Sequence, residues 1–229
     1  MTVRALIFDV FGTVVDWRRG VAAAVARALP GTDATAFADA WRARYQPAME
    51  AVRSGRRGYV PLDALHREML DDTLAAFGPD LDEPGRAALA SVWERLPPWP
   101  DAAEGLARLR ARAIVAPCSN GSIALMTRLA RYAGLGWDCI LGADVARAYK
   151  PDPRVYRACA AALRLEPSEV MMVAAHNDDL RAAAACGLRT AFLPRPTEHG
   201  PGQTTDLGPE GPWDVAAADL RDLARRPLP

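Results

Sequence analysis

The residue around which chemistry can be argued first is Asp9, in the run Phe8-Asp9-Val10-Phe11-Gly12-Thr13. It follows an apolar stretch over residues 3–8 that reads as a buried strand, and Gly12 marks a tight turn just after it. A carboxylate at the C-terminal end of such a strand, followed by a glycine turn and a threonine hydroxyl, is placed to act as a nucleophile. Three later clusters repeat the pattern of polar groups after an apolar run: Ser119-Asn120-Gly121-Ser122, then Tyr149-Lys150-Pro151-Asp152 with Tyr156 a helical turn on, then Ala175-His176-Asn177-Asp178-Asp179. Taken singly, each has an ordinary explanation as a turn, a solvated charge or a helix cap. Four clusters at the strand ends of one parallel sheet converge on one rim, which favours a functional site.

The elements needed to position these groups are legible around them. Beyond a proline-rich hinge at Leu96-Pro97-Pro98-Trp99-Pro100, helices and strands alternate. Strands are expected at 113–118, 139–141, 170–174 and 189–193, and helices at 102–111, 123–133, 153–163 and 180–186. A last short strand and helix are expected over 213–226, after a Pro/Gly/Thr-rich loop at 195–212. This alternation implies parallel βαβ units with right-handed crossovers. Residues 16–97 instead carry helical periodicity, in Val21, Val25 and Leu29 and again in Phe37, Trp41 and Tyr45. A helix over 36–49 with a kink or shortening at Pro47, another near 62–77, and one opening at Asp82-Glu83-Pro84 and running to about 93 are expected there. The chain therefore reads as an α/β Rossmann-like core, 1–15 and 98–229, with a helical cap inserted at 16–97.

Bulk properties exclude other classes. The chain has 229 residues, 50% hydrophobic and 24% charged, with 28 basic and 28 acidic side chains. That balance gives no electrostatic footprint for nucleic acid. No apolar stretch reaches membrane length, and no signal peptide is visible. Cys118, Cys139, Cys159 and Cys186 show no metal-ligand spacing, which points to a reducing cytoplasm. Cys118, preceding Ser119 on an alternating strand, is expected to face the core.

The four motifs, a strand-end Asp, a Ser/Thr, a Lys and an acidic loop, resemble those of the haloacid dehalogenase superfamily over almost the whole chain. Within it, 8–13, Ser119-Asn120-Gly121-Ser122 and Tyr149-Lys150-Pro151-Asp152 with Arg154-Val155-Tyr156 are similar almost residue for residue to the L-2-haloacid dehalogenase branch. The resemblance implies covalent catalysis: Asp9 displaces halide from carbon 2, and water cleaves the aspartyl ester. It implies that Arg42 and Asn120 take the halide. Ser119 and the backbone after Asp9, at Val10 and Phe11, hold the substrate carboxylate. Thr13, Lys150 and Tyr156 orient the nucleophile, and Asp179 orients the water. His176 and Asn177 join the substrate contacts, His176 standing where the branch has Asn and Asp178 where it has Trp. A homodimer is also implied.

Phosphatases of the superfamily carry an acid two residues after the nucleophile, the position of Phe11 here, and a phosphatase without it loses roughly two to four orders of magnitude. Halide is so weak a base that it needs no proton. Superfamily phosphatases also place an acidic pair in the last motif; with Asp179 as the second member, Ala174 or Ala175 occupies the first position. The expected site is thus metal-free, with no cofactor, and its partner is a small-molecule substrate. The alternatives are a magnesium-dependent phosphatase, a hydrolase of another small carboxylate electrophile such as a strained ring, and a binding module without turnover.

Overall fold

In the computed structural model, which describes residues 2–229, β1 (Ala5–Phe8) is buried along its whole length and lies in the middle of a six-stranded parallel sheet. The other strands are β2 (Ile114–Ser119), β3 (Leu141–Gly142), β4 (Val170–Ala174), β5 (Arg189–Phe192) and β6 (Val215–Ala216), in the order β3-β2-β1-β4-β5-β6. Ala5 pairs with Ile114 on one side and Val170 on the other, and Phe8 with Pro117 and Val173. Chain order reverses at β1, so the crevice between the ends of β1 and β4 is the topological switch point where ligands bind in such sheets.

Strand alternation divides the core between two faces. Leu6, Phe8, Val115, Met171 and Val173 belong to one apolar cluster; Ala5, Ile7, Ala116, Cys118, Met172 and Ala174 belong to the other. The first face is covered by helices α6 (Ala102–Arg110), α7 (Ile123–Ala133) and α11 (Leu220–Arg225), and the second by α9 (Pro153–Ala162) and α10 (Asn177–Ala185). Cys118 is buried as expected, its sulfur 3.6 Å from that of Cys159. Each fully buried Leu or Met of this core contributes about 1.5–3 kcal/mol relative to exposure.

Between β1 and α6 come five helices, α1 (Trp17–Ala28), α2 (Ala34–Ala43), α3 (Tyr45–Arg53), α4 (Leu62–Phe77) and α5 (Glu83–Ala90), and a 3₁₀ turn at Ser91–Glu94. Asp16, Asp33 and Asp82 cap three of them, each accepting from a backbone N–H in the first turn. The helix expected over 36–49 is two. Pro47 is the third residue of Tyr45–Arg53, where its missing N–H costs nothing; the break falls upstream because the proline ring would clash with the carbonyl four residues earlier, at Ala43. The last of the five ends at Ala90, its continuation tightening into the 3₁₀ turn instead of reaching 93 as α-helix. The chain enters and leaves this region side by side: Val15 bridges Pro98, and Asp16 N donates to Pro97 O.

Elsewhere the differences are at boundaries. β3 lies two residues later than expected at its start, a four-residue helix, α8 (Ala143–Ala146), follows it, and α10 begins at Asn177 and not at 180. Among the described residues no helix is long and apolar enough to cross a membrane.

Candidate active site

Asp9 leaves the end of β1 at the switch point, with its backbone N–H bonded to Val173 O. Its carboxylate receives three donors. Lys150 Nζ lies 3.0 Å from Oδ1, while Thr13 Oγ1 donates to Oδ2 at 2.7 Å and His176 Nδ1 lies 3.2 Å from the same atom. Thr13 is itself held from behind, accepting from Ala175 N at 2.9 Å. Burial alone would raise the Asp9 pKa, but the Lys150 charge, the His176 contact and the Thr13 hydroxyl outweigh it and hold the group far below the usual carboxylate range.

The contacts continue on both sides as a chain of alternating charge. Lys150 Nζ reaches Asp179 Oδ2 at 2.5 Å, and Tyr156 donates to Asp179 Oδ1 at 2.5 Å. On the other side His176 Nε2 meets Glu198 Oε2 at 2.8 Å, and Trp17 Nε1 donates to Glu198 Oε1 at 2.9 Å. The order is therefore Asp179, Lys150, Asp9, His176, Glu198. Burial opposes the charged form of Lys150 and His176, yet the flanking carboxylates win in both cases and raise their pKa values. Burial likewise would raise Glu198, and His176 lowers it. For Tyr156, burial and the adjacent Asp179 charge push the phenol far up, so it acts as a neutral donor.

Gly12 explains how the turn accommodates this. Its φ is +93°, a region that favours glycine, and a Cβ there would lie 2.1 Å from Glu198 Oε1. The turn is also pinned from outside: Arg195 Nε donates to the Thr13 carbonyl, and its guanidinium makes a paired contact with buried Asp101 at 2.8 Å on both nitrogens.

Over these groups lies a cavity of about 820 Å³, lined among others by Asp9, Phe11, Trp17, Arg42, Tyr45, Asn120, Lys150, Tyr156, His176 and Glu198. Arg42 comes from the helix Ala34–Ala43. Its guanidinium sits 3.9 Å from the Tyr45 ring centroid and 5.2 Å from that of Trp17. Arg42 Nη1 is buried with no hydrogen-bond partner among the described residues, a donor available to an anion. Asn120 Oδ1 accepts from Lys150 N at 2.8 Å, which leaves its NH₂ for a ligand. Phe11 packs edge-on to Trp93, 5.6 Å between centroids, and forms an apolar wall.

Of the residues singled out from sequence, Asp9, Thr13, Lys150, Tyr156, Asp179 and His176 are thus joined in one network, with Arg42, Phe11 and Asn120 on the cavity wall. Three lie elsewhere. Val10 is fully buried and can contribute only backbone. Ser119 is fully buried, its Oγ accepting from Gly121 N at 3.0 Å. Asn177 is not in the cavity wall: its amide donates to Asp206 and Gly208 O, and its Oδ1 accepts from Glu210 N and Trp213 Nε1, so it is spent on anchoring the 206–213 loop. Asp179 is also less free than a water-orienting role requires, both oxygens being engaged. Glu198 and Arg195 escaped the sequence reading because they lie in a loop without periodicity; the only signal is an acid beside a histidine, Glu198-His199, in a Pro/Gly-rich stretch.

The donor set does not fit magnesium. Asp9 and Asp179 share the Lys150 ammonium, and Asp178 is exposed and paired with Arg181, so among the described residues these carboxylates do not gather into a cage.

Comparison with known proteins places the chain among characterised relatives. A haloacid dehalogenase-like hydrolase family profile matches residues 3–187. An (S)-2-haloacid dehalogenase of Xanthobacter autotrophicus is 33% identical over 197 residues, covering 84% of this chain and 76% of that protein. The crystal structure of a defluorinating L-2-haloacid dehalogenase, Rha0230, superimposes with a TM-score of 0.94 at 53% identity, covering 97% of this chain and 94% of the other. The Xanthobacter autotrophicus L-2-haloacid dehalogenase with chloropropionic acid covalently bound matches with a TM-score of 0.83 at 29% identity, covering 97% of both chains. The chain belongs to the haloacid dehalogenase-like hydrolase family.

Proposed function

We propose that this protein hydrolyses small 2-haloacids to 2-hydroxy acids and halide through an ester on Asp9. The observation that carries the reading is the pairing of a buried, ionised Asp9 with an unpartnered Arg42 nitrogen across one cavity. One group can attack carbon, and the other can receive the departing anion. The activities named for the relatives support the same reaction.

In the first step Asp9 Oδ1, which has one donor where Oδ2 has two, attacks carbon 2 from the side opposite the halogen. Lys150 and Thr13 hold the carboxylate in line, and that positioning supplies much of the rate. Halide leaves toward Arg42 and the Asn120 NH₂ without needing a proton. A guanidinium clasped between aromatic rings is weakly hydrated, so it binds an anion at little desolvation cost. The substrate carboxylate is received by the backbone of Val10 and Phe11 at the Asp9 turn.

Burial disfavours the His176 cation and Glu198 and Asp9 favour it; ester formation removes the Asp9 charge, the one that faces Nδ1. The Nδ1 proton passes to solvent through the cavity, Nε2–H stays on Glu198, and Nδ1 then faces the ester with a free lone pair. His176, oriented by Glu198, is the general base for water attacking the Asp9 carbonyl carbon. Asp179, bound by Lys150 and Tyr156, positions the lysine instead.

The helices over 16–97 are read as the cap that carries Arg42 over the core. Exposed Phe77 and, on α7, Ile123 and Tyr132 support a homodimer, and four free thiols support a cytoplasmic home. The test is halide release from L- and D-2-chloropropionate, chloroacetate and fluoroacetate, with and without chelator. Release that survives chelation and disappears in Asp9→Asn is expected; chelator-sensitive phosphate release from an aryl phosphate, without halide, would overturn the reading.

A further inference from the structure

One cluster at the cavity edge has the composition of a transition-metal site. His176, Glu198 and His199 each offer one ligand atom, and these atoms lie within 4.8 Å of one another. Glu198 Oε2 is 2.8 Å from His176 Nε2, and Glu198 Oε1 is 3.6 Å from His199 Nε2. Two imidazoles and a carboxylate are the protein ligands of open zinc sites, which keep a fourth position for solvent or ligand. Nitrogen donors also select zinc-like ions over magnesium.

The surrounding contacts match what metal ligands need. A ligating histidine gives its other nitrogen to a carboxylate, and His176 Nδ1 already faces Asp9 Oδ2 at 3.2 Å. A ligating carboxylate is hydrogen-bonded in turn, and Glu198 Oε1 takes the Trp17 indole N–H. His199 is exposed, rests edge-on against Trp17 and already holds its Nε2 3.6 Å from Glu198 Oε1. All three residues line the cavity, which gives an ion a way in.

We propose that His176, Glu198 and His199 bind a zinc-class divalent ion, with the fourth position open to the cavity, and that this ion inhibits the enzyme. Binding exchanges the proton on His176 Nε2 for the metal, and that proton leaves to solvent. The remaining proton is then fixed on Nδ1, the nitrogen that faces Asp9. A nitrogen that holds a proton cannot take one from water, so ester hydrolysis stops while halide displacement, which needs no base, proceeds. This inhibitory consequence rests on the proposed reaction; the site itself does not.

The experiment titrates the full-length protein with Co²⁺, reading visible d–d absorption, and then displaces it with Zn²⁺. One saturable, low-symmetry site per chain is expected, weakened about tenfold or more in His199→Ala. No saturable binding, or binding undiminished in that variant, would overturn the site. In parallel, saturating Zn²⁺ is expected to reduce turnover of 2-chloropropionate to a single burst of halide, reversed by chelator, and the inhibitory concentration is expected to rise at least about tenfold in His199→Ala. Tight binding with unchanged turnover would overturn the inhibition. Metal binding in a protein that releases halide from no 2-haloacid would locate the failure in the proposed reaction instead.

Discussion

Replacing His176 by Gln separates the two halves of the reaction. The imidazole stands between Asp9, 3.2 Å away, and Glu198, 2.8 Å away. Glutamine keeps a donor at this position but has no lone pair basic enough to deprotonate water. Halide displacement, proposed to use Asp9, Lys150, Thr13 and Arg42, should change little. Ester hydrolysis loses its general base, which costs about 10²–10⁴-fold, or about 3–5 kcal/mol of barrier at 1.36 kcal/mol per decade. Rapid-quench measurement of chloride from L-2-chloropropionate should then show a burst of one equivalent per chain followed by a slow phase. Intact-mass analysis during the slow phase should find the protein carrying the 1-carboxyethyl ester. Glu198→Gln, which removes the orienting partner, should behave in the same direction. A turnover unchanged from the parent would refute the assignment. So would an adduct that accumulates in Asp179→Asn but not in His176→Gln, because the base would then lie on the other side of Asp9.

Arg42→Lys should lower kcat/KM for 2-chloropropionate by about 10²-fold, the loss of one charge-stabilising donor, since an ammonium cannot reproduce the planar stack between Tyr45 and Trp17; steady-state kinetics check it. Gly12→Ala must adopt φ of +93° and drive a Cβ into Glu198, so it should lose about 1–2 kcal/mol from backbone strain alone in urea unfolding, with turnover falling as Glu198 is displaced. Acid unfolding gives a signed test. Glu198 has a folded pKa lowered by His176, so its contribution is present above its unfolded value near 4.3 and is lost as pH falls through the folded one. His176→Gln removes that cation and leaves burial, which raises the pKa; the acid midpoint should therefore move to higher pH.

What was legible in the sequence follows burial and local chemistry. β1, β4 and α7 stand within a residue or two of expectation because each is an unbroken apolar run or a capped amphipathic stretch, Ser122 accepting from Leu125 N at the start of α7. Asp9, Thr13, Lys150 and Tyr156 were legible because strand ends of a parallel sheet must share a rim. The split at Arg44 was not, since a proline's cost falls on the preceding turn and its place in a new first turn depends on tertiary packing. The anchoring role of Asn177 is hidden in the sequence for a related reason. Its partners, Asp206, Gly208, Glu210 and Trp213, lie in an irregular loop whose path no periodicity reveals. The same loop region delivers Glu198, so the partner of His176 became visible only once the chain was folded.

In the proposed reaction Asp9 is alkylated and then hydrolysed at its own carbonyl carbon. A single turnover of L-2-chloropropionate in H₂¹⁸O, with enzyme in excess and chelator present, tests it most directly through the mass of the peptide containing Asp9. ¹⁸O is expected in the Asp9 carboxylate and none in the first equivalent of lactate. Labelled lactate with an unlabelled Asp9 peptide would mean that water attacks the substrate itself, and would contradict it.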